Sequence, residues 1–283
     1  MKQRKKHFRK RRLTPYIILA VTIVFLGTLS FIFLKDTIVI PVGSSTPNAK
    51  QAGSSQEERA VQQALAKPAP TQIQQQNGVV SVDKLILDVP YISQEAEYPS
   101  GCEMVSSTML LQYYGYSVTI EELIDDYLDK EDFYREDGIL YGADPYKAFA
   151  GDPRDSWSCG CYAPVVEKTL NRVLSGKQKA VDTTGTSLED LEKYIDTQDP
   201  VLVWASINME PTCPGNEWIA VDSGRTVRWV SPEHCMVLVG YDENKYYFND
   251  PYESNGLVSY SKSLVEKRFQ ELGCQSVVIQ SNL

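Results

Sequence analysis

Histidine and cysteine content narrows the chemistry that this sequence can carry out. The two histidines are His7, which lies in a strongly basic N-terminal tail, and His234. Outside that tail, any reaction that uses a histidine as general acid or base must therefore use His234. A zinc site of the three-histidine or Cys₂His₂ kind lacks ligands, and no CxxC pair is present. We expect neither a metal nor a cofactor.

Cys102 is the candidate nucleophile. It stands in PSGCEMVSSTMLL, directly before a helical pattern. A thiol at a helix N-terminus feels the positive end of the helix dipole, which favours the thiolate. Gln94 ends the first predicted strand and could donate its side-chain NH₂ group to an oxyanion beside the backbone N–H of Cys102. Taken alone, each residue has a simpler interpretation: Cys102 could be one half of a disulfide, and Gln94 could be an ordinary surface amide.

A predicted hairpin brings His234 and Asp250 together. His234 is near the start of the apolar run EHCMVLVGYD, and KYYFNDPY follows after a short turn. Pairing of the two strands places Asp250 beside His234, where a carboxylate orients an imidazole and stabilises its cation. The order Gln94, Cys102, His234, Asp250 is that of a papain-like nucleophilic site. Because imidazolium and the helix terminus both favour S⁻, we expect a lowered pKa for the Cys102 thiol.

The elements that position these residues are predicted to form an α+β domain at 79–283. A strand is expected at 85–92, and helices at 103–114, from the Thr119–Glu122 capping box to about 128, at 164–174, and from Ser187 to before Pro200. After Pro200 the runs VLVWASI, TVRWV, CMVLVGYD and KYYFND predict strands, followed by a last helix and strand. Helices first and strands later favour a helical N-terminal half packed on a mainly antiparallel sheet.

The N-terminal region predicts a membrane anchor. Residues 1–15 form a basic tail, with eight Lys and Arg and no acid among the first 12 residues. Residues 16–34 carry no charge. At about 1.5 Å per residue they reach roughly 28 Å, close to the ~30 Å hydrocarbon core. Lys35 and Asp36 follow at once, where a cleavable signal peptide would show a small-residue site. The positive-inside rule makes the tail cytoplasmic and the chain after Lys35 extracellular, in single-pass topology.

Residues 35–78 are predicted to be a flexible tether. Between 43 and 78 there are eight Gln, no aromatic residue and three large aliphatic residues. This composition buries too little apolar surface to offset chain entropy, although a short helix through EERAVQQALA would alter its stiffness. Beyond Arg12 the chain has 20 basic and 37 acidic residues, a net charge of −17. Because phosphate groups are bound mainly by Lys and Arg, we expect no nucleic-acid partner for a chain this acidic.

Taken together, the motifs resemble the C39-like cysteine peptidase family of bacteria. Gln94, the segment PSGCEMVSSTMLLQYYG, EHCMVLVGYD and NDP carry the resemblance, which covers about 85–279. The resemblance implies a papain-like α+β fold. It also implies that Cys102 is the nucleophile, His234 the base, Asp250 the orienting acid and Gln94 the oxyanion donor. Bacteriocin exporters of this kind carry a transporter after the peptidase domain, and no Walker-type sequence is present in this chain.

The other cysteines leave disulfide pairing open. A pair between Cys213 and either Cys159 or Cys161 would join two loops, whereas Cys235, on an apolar strand, is expected to be a small buried side chain. The connectivity of these residues and Cys274 cannot be read from spacing. The aromatic residues that either line a substrate groove or belong to the core are Trp157, Tyr162, Trp204, Trp218 and Trp229.

The leading prediction is a membrane-anchored extracellular cysteine peptidase that acts on peptide or protein substrates. A cell-wall peptide amidase or endopeptidase would use the same chemistry on peptidoglycan stem peptides, although such enzymes often have a second histidine as third member. A transglutaminase-type acyl transferase shares the order Cys, His, Asp. An inactive peptide-binding module would have no need of the complete set of four residues.

Overall fold

The computed structural model describes residues 84–174, 176 and 178–281. The predicted tail at 1–15, anchor at 16–34 and tether at 35–78 lie outside the described residues, as does the predicted start of the domain at 79. In the part of the chain that is described, no helix is both long enough and apolar enough to cross a membrane.

The described chain alternates short helices with many strands. The helices are α1 Cys102–Tyr113, α2 Ile120–Glu122, which continues as a π-helical turn over Leu123–Tyr127, α3 Ala163–Val173, α4 Leu188–Asp196 and α5 Lys262–Glu271. The strands are β1 Leu85–Ile86, β2 Lys130–Glu131, β3 Tyr134–Glu136, β4 Ile139–Gly142, β5 Phe149–Ala150, β6 Gln178–Asp182, β7 Val201–Ser206, β8 Cys213–Ala220, β9 Thr226–Ser231, β10 Glu233–Tyr241, β11 Lys245–Asp250, β12 Gly256–Ser261 and β13 Ser276–Ser281.

The main sheet has seven strands, six of them in the order β12-β11-β10-β7-β13-β6, with β1 also pairing with β10. Every pairing within this sheet is antiparallel. The expected α+β class with a mainly antiparallel sheet is therefore confirmed. Strand β7 and strand β10 are buried along their whole length, as a strand covered on both faces must be.

Helix α1 packs against strand β10 in the interior. Its residues 102–111 are all buried, and Ser106 Oγ donates to the Cys235 carbonyl at 3.0 Å. The helix ends before Gly115, which adopts φ +86°, a left-handed conformation that glycine accommodates without strain. This packing places the N-terminus of α1 beside the first residues of β10.

The predicted helices begin within one residue of their expected positions, and α4 ends at Asp196, three residues before the end expected at 199. The Thr119–Glu122 capping box is present with both of its hydrogen bonds, and Ser187 caps α4. The strand expected at 85–92 is wrong beyond Ile86. The pairing of β10 with β11 shifts register between Leu238 and Gly240, and no helix or strand is assigned between Ile86 and Cys102.

A second, four-stranded sheet has the order β3-β4-β8-β9. Strand β8 was not expected, because CPGNEWIA contains the turn-forming residues Pro214, Gly215 and Asn216. Pairing between β8 and β9 shifts register between Pro214 and Glu217, which accommodates these residues as an irregularity within the hairpin.

Candidate active site

Cys102 is the first residue of α1 and is buried. The preceding Gly101 has no room for a side chain, because a Cβ there would lie 2.8 Å from Tyr98 Cβ and 3.2 Å from Pro153 Cβ. The Gly101 backbone N–H donates to the Tyr98 carbonyl at 2.9 Å. The loop before the helix is therefore tightly packed, and this packing fixes the position of Cys102.

His234 and Asp250 form a buried pair. His234 Nε2 lies 2.6 Å from Asp250 Oδ1, and the two side chains are 1% and 0% exposed. Asp250 also accepts hydrogen bonds from the Tyr252 backbone N–H and from Asn255 Nδ2. Burial opposes ionisation of Asp250, but the hydrogen bond from His234 and these further donors outweigh it and lower the pKa of the carboxyl group. The structure therefore brings together the two residues that the hairpin was expected to join.

Gln94 lies between the loop that precedes Cys102 and the turn that follows Asp250. Its backbone N–H donates to the Pro251 carbonyl at 3.0 Å, and its side-chain Nε2 donates to the Pro99 carbonyl at 3.3 Å. The residue is buried, and among the described residues its Oε1 has no hydrogen-bond partner. Gln94 is therefore not a surface amide, and it connects the segments that carry Cys102 and Asp250.

The thiol of Cys102 points toward an acid rather than toward the imidazole. Sγ donates to Glu103 Oε2 at 3.3 Å, and no hydrogen bond among the described residues joins Sγ to His234. Side chains alternate along β10, so Glu233 and Cys235 lie on one face and His234 on the other. Cys102 contacts the face that carries Glu233 and Cys235.

The expectation of a lowered thiol pKa is wrong for this arrangement. Burial raises the pKa of the Cys102 thiol well above its ordinary value, and the negative charges of Glu103 and Glu233 add to that effect. The hydrogen bond with the Cys235 backbone acts in the opposite direction and is outweighed. Desolvation and two nearby carboxyl groups, which the expectation from the helix terminus and the imidazolium did not include, therefore set the direction of the shift.

Glu103 and Glu233 are the site residues that sequence reasoning missed. Both are buried, and they directly adjoin the nucleophile candidate and the histidine in the chain. The available signal was a charged residue at an inward position of an apolar helix and of an apolar strand, since Glu is rarely buried without a reason. Cys102, Glu103 and Glu233 each offer an atom within 4.8 Å of the others, so these three are the described residues that could hold a metal ion.

All six cysteines are free thiols. Cys161 and Cys235 are buried, and burial raises the pKa of both. Cys213 is exposed, and Cys159 Sγ accepts a weak hydrogen bond from Asn216 Nδ2 at 3.9 Å. The pairing considered between Cys213 and Cys159 or Cys161 is therefore not formed in the structure, whereas the expected burial of Cys235 is confirmed.

A surface cavity of about 640 Å³ lies next to the loop that precedes Cys102. Ser158 is part of its wall, and the Ser158 carbonyl accepts a hydrogen bond from Ser100 Oγ at 3.3 Å. Trp157, which also lines it, is 84% exposed. The other aromatic residues considered for a groove belong to the core: Tyr162, Trp204, Trp218 and Trp229.

Comparison with known proteins agrees with this fold. Residues 86–277 match the Peptidase_C39 like family. The uncharacterized protein YvpB of Bacillus subtilis (strain 168) is 30% identical over 182 residues, which are 64% of this chain and 69% of that protein.

Two solved structures are also similar. A candidate C39-like peptidase from Bacillus anthracis has a TM-score of 0.61 and 29% identity, covering 70% of this chain and 98% of that one. A double glycine motif protease of an AMS/PCAT transporter is more distant, with a TM-score of 0.38 and 19% identity over 69% of this chain and 92% of that one. The chain belongs to the Peptidase_C39 like family, and family and fold together indicate a cysteine peptidase.

Proposed function

We propose that this protein is a membrane-anchored extracellular cysteine peptidase that hydrolyses peptide bonds at a papain-like Cys102-His234-Asp250 site, with Gln94 as oxyanion donor. The buried His234–Asp250 pair, 2.6 Å apart, is the observation that carries the proposal. A buried carboxylate that binds one imidazole nitrogen fixes the ring and leaves the other nitrogen for proton transfer.

In the proposed reaction, the Cys102 thiol proton moves to His234 as sulfur attacks the substrate carbonyl carbon. The S–C bond forms while the carbonyl electron pair moves to oxygen, where the Cys102 backbone N–H and the Gln94 amide stabilise the negative charge. The C–N bond then breaks, and the leaving amine takes the proton from His234. Water attacks the resulting thioester with His234 as base, which releases the acid and restores the thiol.

The geometry of the resting site adds one requirement to this scheme. Sγ donates to Glu103, so it must turn from Glu103 toward His234 before the proton can be transferred. Cys has a single side-chain torsion between heavy atoms, so a rotation about it moves Sγ away from Glu103. We propose that substrate binding causes this rotation.

The cavity lined by Trp157 supports a peptide as the substrate. A large exposed indole offers apolar surface and one hydrogen-bond donor, a combination that is common where proteins bind peptides. Asp132, Asp155 and Arg135 also line the cavity, so both signs of charge are present along its wall. We propose that part of an extended substrate lies here, on one side of Cys102.

We further propose that residues 16–34 anchor the domain outside the cell. The uncharged run of 19 residues and the basic residues before it are the basis for this part of the proposal. The tether at 35–78 would let the domain reach substrates within a layer around the membrane. Cell-wall peptides are one class of such substrates.

Incubation of the full-length protein with a mixed peptide library, and separately with purified wall material, tests the function. We expect cleavage of peptides by the wild type and none by Cys102→Ala, with product ends located by mass spectrometry. Cys213→Ala is the matched control, because this thiol is exposed and is expected to be dispensable. Release of fragments from wall material alone would assign the cell-wall enzyme. Transfer to added amines without hydrolysis would assign the acyl transferase, and binding without turnover would contradict peptidase activity.

A further inference from the structure

Asp250 accepts a hydrogen bond on each of its two carboxylate oxygens. Oδ1 lies 2.6 Å from His234 Nε2 and accepts the Tyr252 backbone N–H at 2.9 Å. Oδ2 accepts Asn255 Nδ2 at 3.1 Å, and within the described part of the chain no other side chain donates to Oδ2. Asp250 is 0% exposed, so Asn255 supplies the hydrogen bond that a buried carboxylate oxygen requires.

The contact to Oδ2 determines which way the plane of the carboxylate faces. The terminal torsion of an Asp side chain is broad and roughly two-fold, so the residue itself does not fix the plane of its oxygens. A donor on each oxygen of Asp250 holds this plane, and with it the direction in which Oδ1 faces the imidazole. With Oδ2 unpaired, the carboxylate would rotate toward other donors, and the imidazole would lose a fixed partner.

The amide of Asn255 can take only one orientation at this position. A carboxylate accepts hydrogen bonds and does not donate them, so the NH₂ group of Asn255 must face Asp250. The same NH₂ group also donates to Asn208 Oδ1, at the longer distance of 3.4 Å. Asn208 lies in the short turn after β7 and has φ +52°. The shorter contact, to Asp250, therefore sets the orientation of the amide.

The turn between β11 and β12 has a strained backbone that neighbouring contacts hold in place. Glu253 and Ser254 have φ values of +45° and +56°, in a left-handed region that residues other than glycine adopt rarely. Ser254 Oγ donates to Glu95 Oε2 at 2.9 Å, and the Gln94 backbone N–H donates to the Pro251 carbonyl at 3.0 Å. These contacts fix the turn and, with it, the position of the amide.

We propose that Asn255 is a positioning residue of the candidate active site, which acts through Asp250 to hold the imidazole of His234. Its amide fixes the plane of the carboxylate. The carboxylate in turn fixes the ring with Nε2 bound, so that Nδ1 is left for proton transfer from Cys102. This inference rests on the proposed roles of His234 and Asp250, and it adds one residue to the set that performs the chemistry.

Steady-state kinetics of full-length variants test the inference. Asn255→Ala leaves Oδ2 without its donor and should lower kcat about five- to tenfold with little change in KM, because the residue acts on proton transfer and not on substrate binding. Asn255→Asp keeps the size of the side chain but places a second carboxylate against Asp250, so its kcat should be lower still.

Asn208→Gly is the matched control for these variants. It removes the contact at 3.4 Å between the two turns, and glycine accommodates the left-handed backbone at this position. Its kcat should stay within about twofold of the wild-type value, because the contact between Asn255 and Asp250 is retained. A loss of kcat in Asn208→Gly equal to that in Asn255→Ala would make the tie between the turns the cause, and it would overturn the inference.

Combination with Asp250→Asn shows whether Asn255 acts through the acid. If it does, Asn255→Ala should lower kcat by less than about twofold once residue 250 is Asn, because the charge that the amide positions is gone. A full loss in both backgrounds would mean that the two residues act independently, which would also overturn the inference.

NMR of the full-length protein labelled with nitrogen-15 in histidine provides a readout that requires no substrate. The chain has two histidines, and His7→Gln assigns the signal that belongs to His234. In the proposed arrangement Nε2 carries a proton whether or not Nδ1 does, and the exchange of this proton with water reports how firmly Asp250 holds it. The wild type should show slow exchange, Asn255→Ala and Asn255→Asp should accelerate it at least about tenfold, and Asn208→Gly should not.

Thermal unfolding checks that the variants fold, as expected for a half-buried residue in a turn, and Asn255→Asp decides the question if Asn255→Ala does not fold. Wild-type kcat in Asn255→Asp, or exchange of the Nε2 proton at the wild-type rate in that variant, would overturn the inference. A protein that cleaves no peptide but loses the protection of Nε2 in the Asn255 variants would refute the peptidase proposal and leave the positioning role standing.

Discussion

At the level of single residues, the partners of Cys102 and His234 could be predicted only in part. The proximity of Asp250 to His234 could be predicted because the two residues lie on adjacent strands of one hairpin, where the pairing register follows from the local sequence. Glu103 and Glu233 were missed because their proximity depends on how α1 packs against β10, which neither local sequence determines. The direction of the thiol pKa was wrong for the same reason, since burial and remote charges decide it.

The proposed oxyanion role of Gln94 gives a prediction at this scale. Gln94→Ala should reduce kcat by about 100-fold with a small change in KM, because such a donor acts mainly on the transition state. Steady-state kinetics on a library-derived peptide measures both constants. Gln112→Ala, at an exposed position of α1, is the control and should leave both unchanged. A rise in KM alone would instead make Gln94 a substrate-binding residue.

The proposed orienting role of Asp250 gives a second prediction. Asp250→Asn keeps the size of the side chain but removes the charge that stabilises the His234 cation, so kcat should fall roughly 10- to 100-fold. Thermal unfolding should remain cooperative, because Asn can still bind the imidazole and Asn255. Kinetics and calorimetry on the same preparation separate the two effects. Wild-type kcat in this variant would remove Asp250 from the mechanism.

At the level of elements, the helices were the most predictable part of the fold. Capping residues and glycine stops are local signals, and α1 and α4 begin and end close to where these signals lie. Strand β8 and the shortened β1 were not predictable, because their pairing is set by partners remote in the sequence.

The loop before α1 provides the prediction for this scale. Gly101→Ala puts a Cβ 2.8 Å from Tyr98 Cβ, so the loop must shift and Cys102 with it. A displacement of about 1 Å is enough to cost roughly 100-fold in kcat. Gly115→Ala at the other end of the helix meets no atom within 4 Å, although its φ of +86° is unfavourable for Ala. It should cost about 1 kcal/mol of stability and leave kcat unchanged. Equal kcat losses in both variants would contradict this assignment.

For the molecule as a whole, the buried acids predict how stability depends on pH. Glu103 and Glu233 have raised pKa values in the folded state, so the folded protein binds more protons than the unfolded one between the ordinary Glu value of 4.5 and about 7. The contribution of these two acids to the free energy of unfolding therefore decreases as pH rises through this window. Chemical denaturation of the wild type and of Glu103→Gln at several pH values isolates this contribution, and the wild type should lose stability relative to the variant as pH rises. The same pH dependence in both proteins would contradict a raised pKa for Glu103.

The proposed placement of the domain outside the cell rests on the uncharged run at 16–34 and the basic residues before it. Protease added to intact cells should release the domain by cutting between 43 and 78, because this segment is polar and is proposed to be an exposed tether, a kind of segment that is readily cleaved. Immunoblotting of the medium detects the released fragment, and a cytoplasmic protein serves as the control for lysis. A domain that stays protected in intact cells and is cut only after lysis would overturn the proposed topology.

Covalent trapping of the nucleophile tests the central claim most directly. A peptidyl epoxide binds as a substrate does, and it reacts only with a thiol that is activated and positioned for attack. Digestion and mass spectrometry of the treated full-length protein should place the adduct on Cys102. His234→Ala should slow the labelling at least roughly tenfold, about 1.4 kcal/mol in the barrier. Adducts spread over the other cysteines, or labelling of Cys102 at the same rate without His234, would contradict a cysteine peptidase site built from these residues.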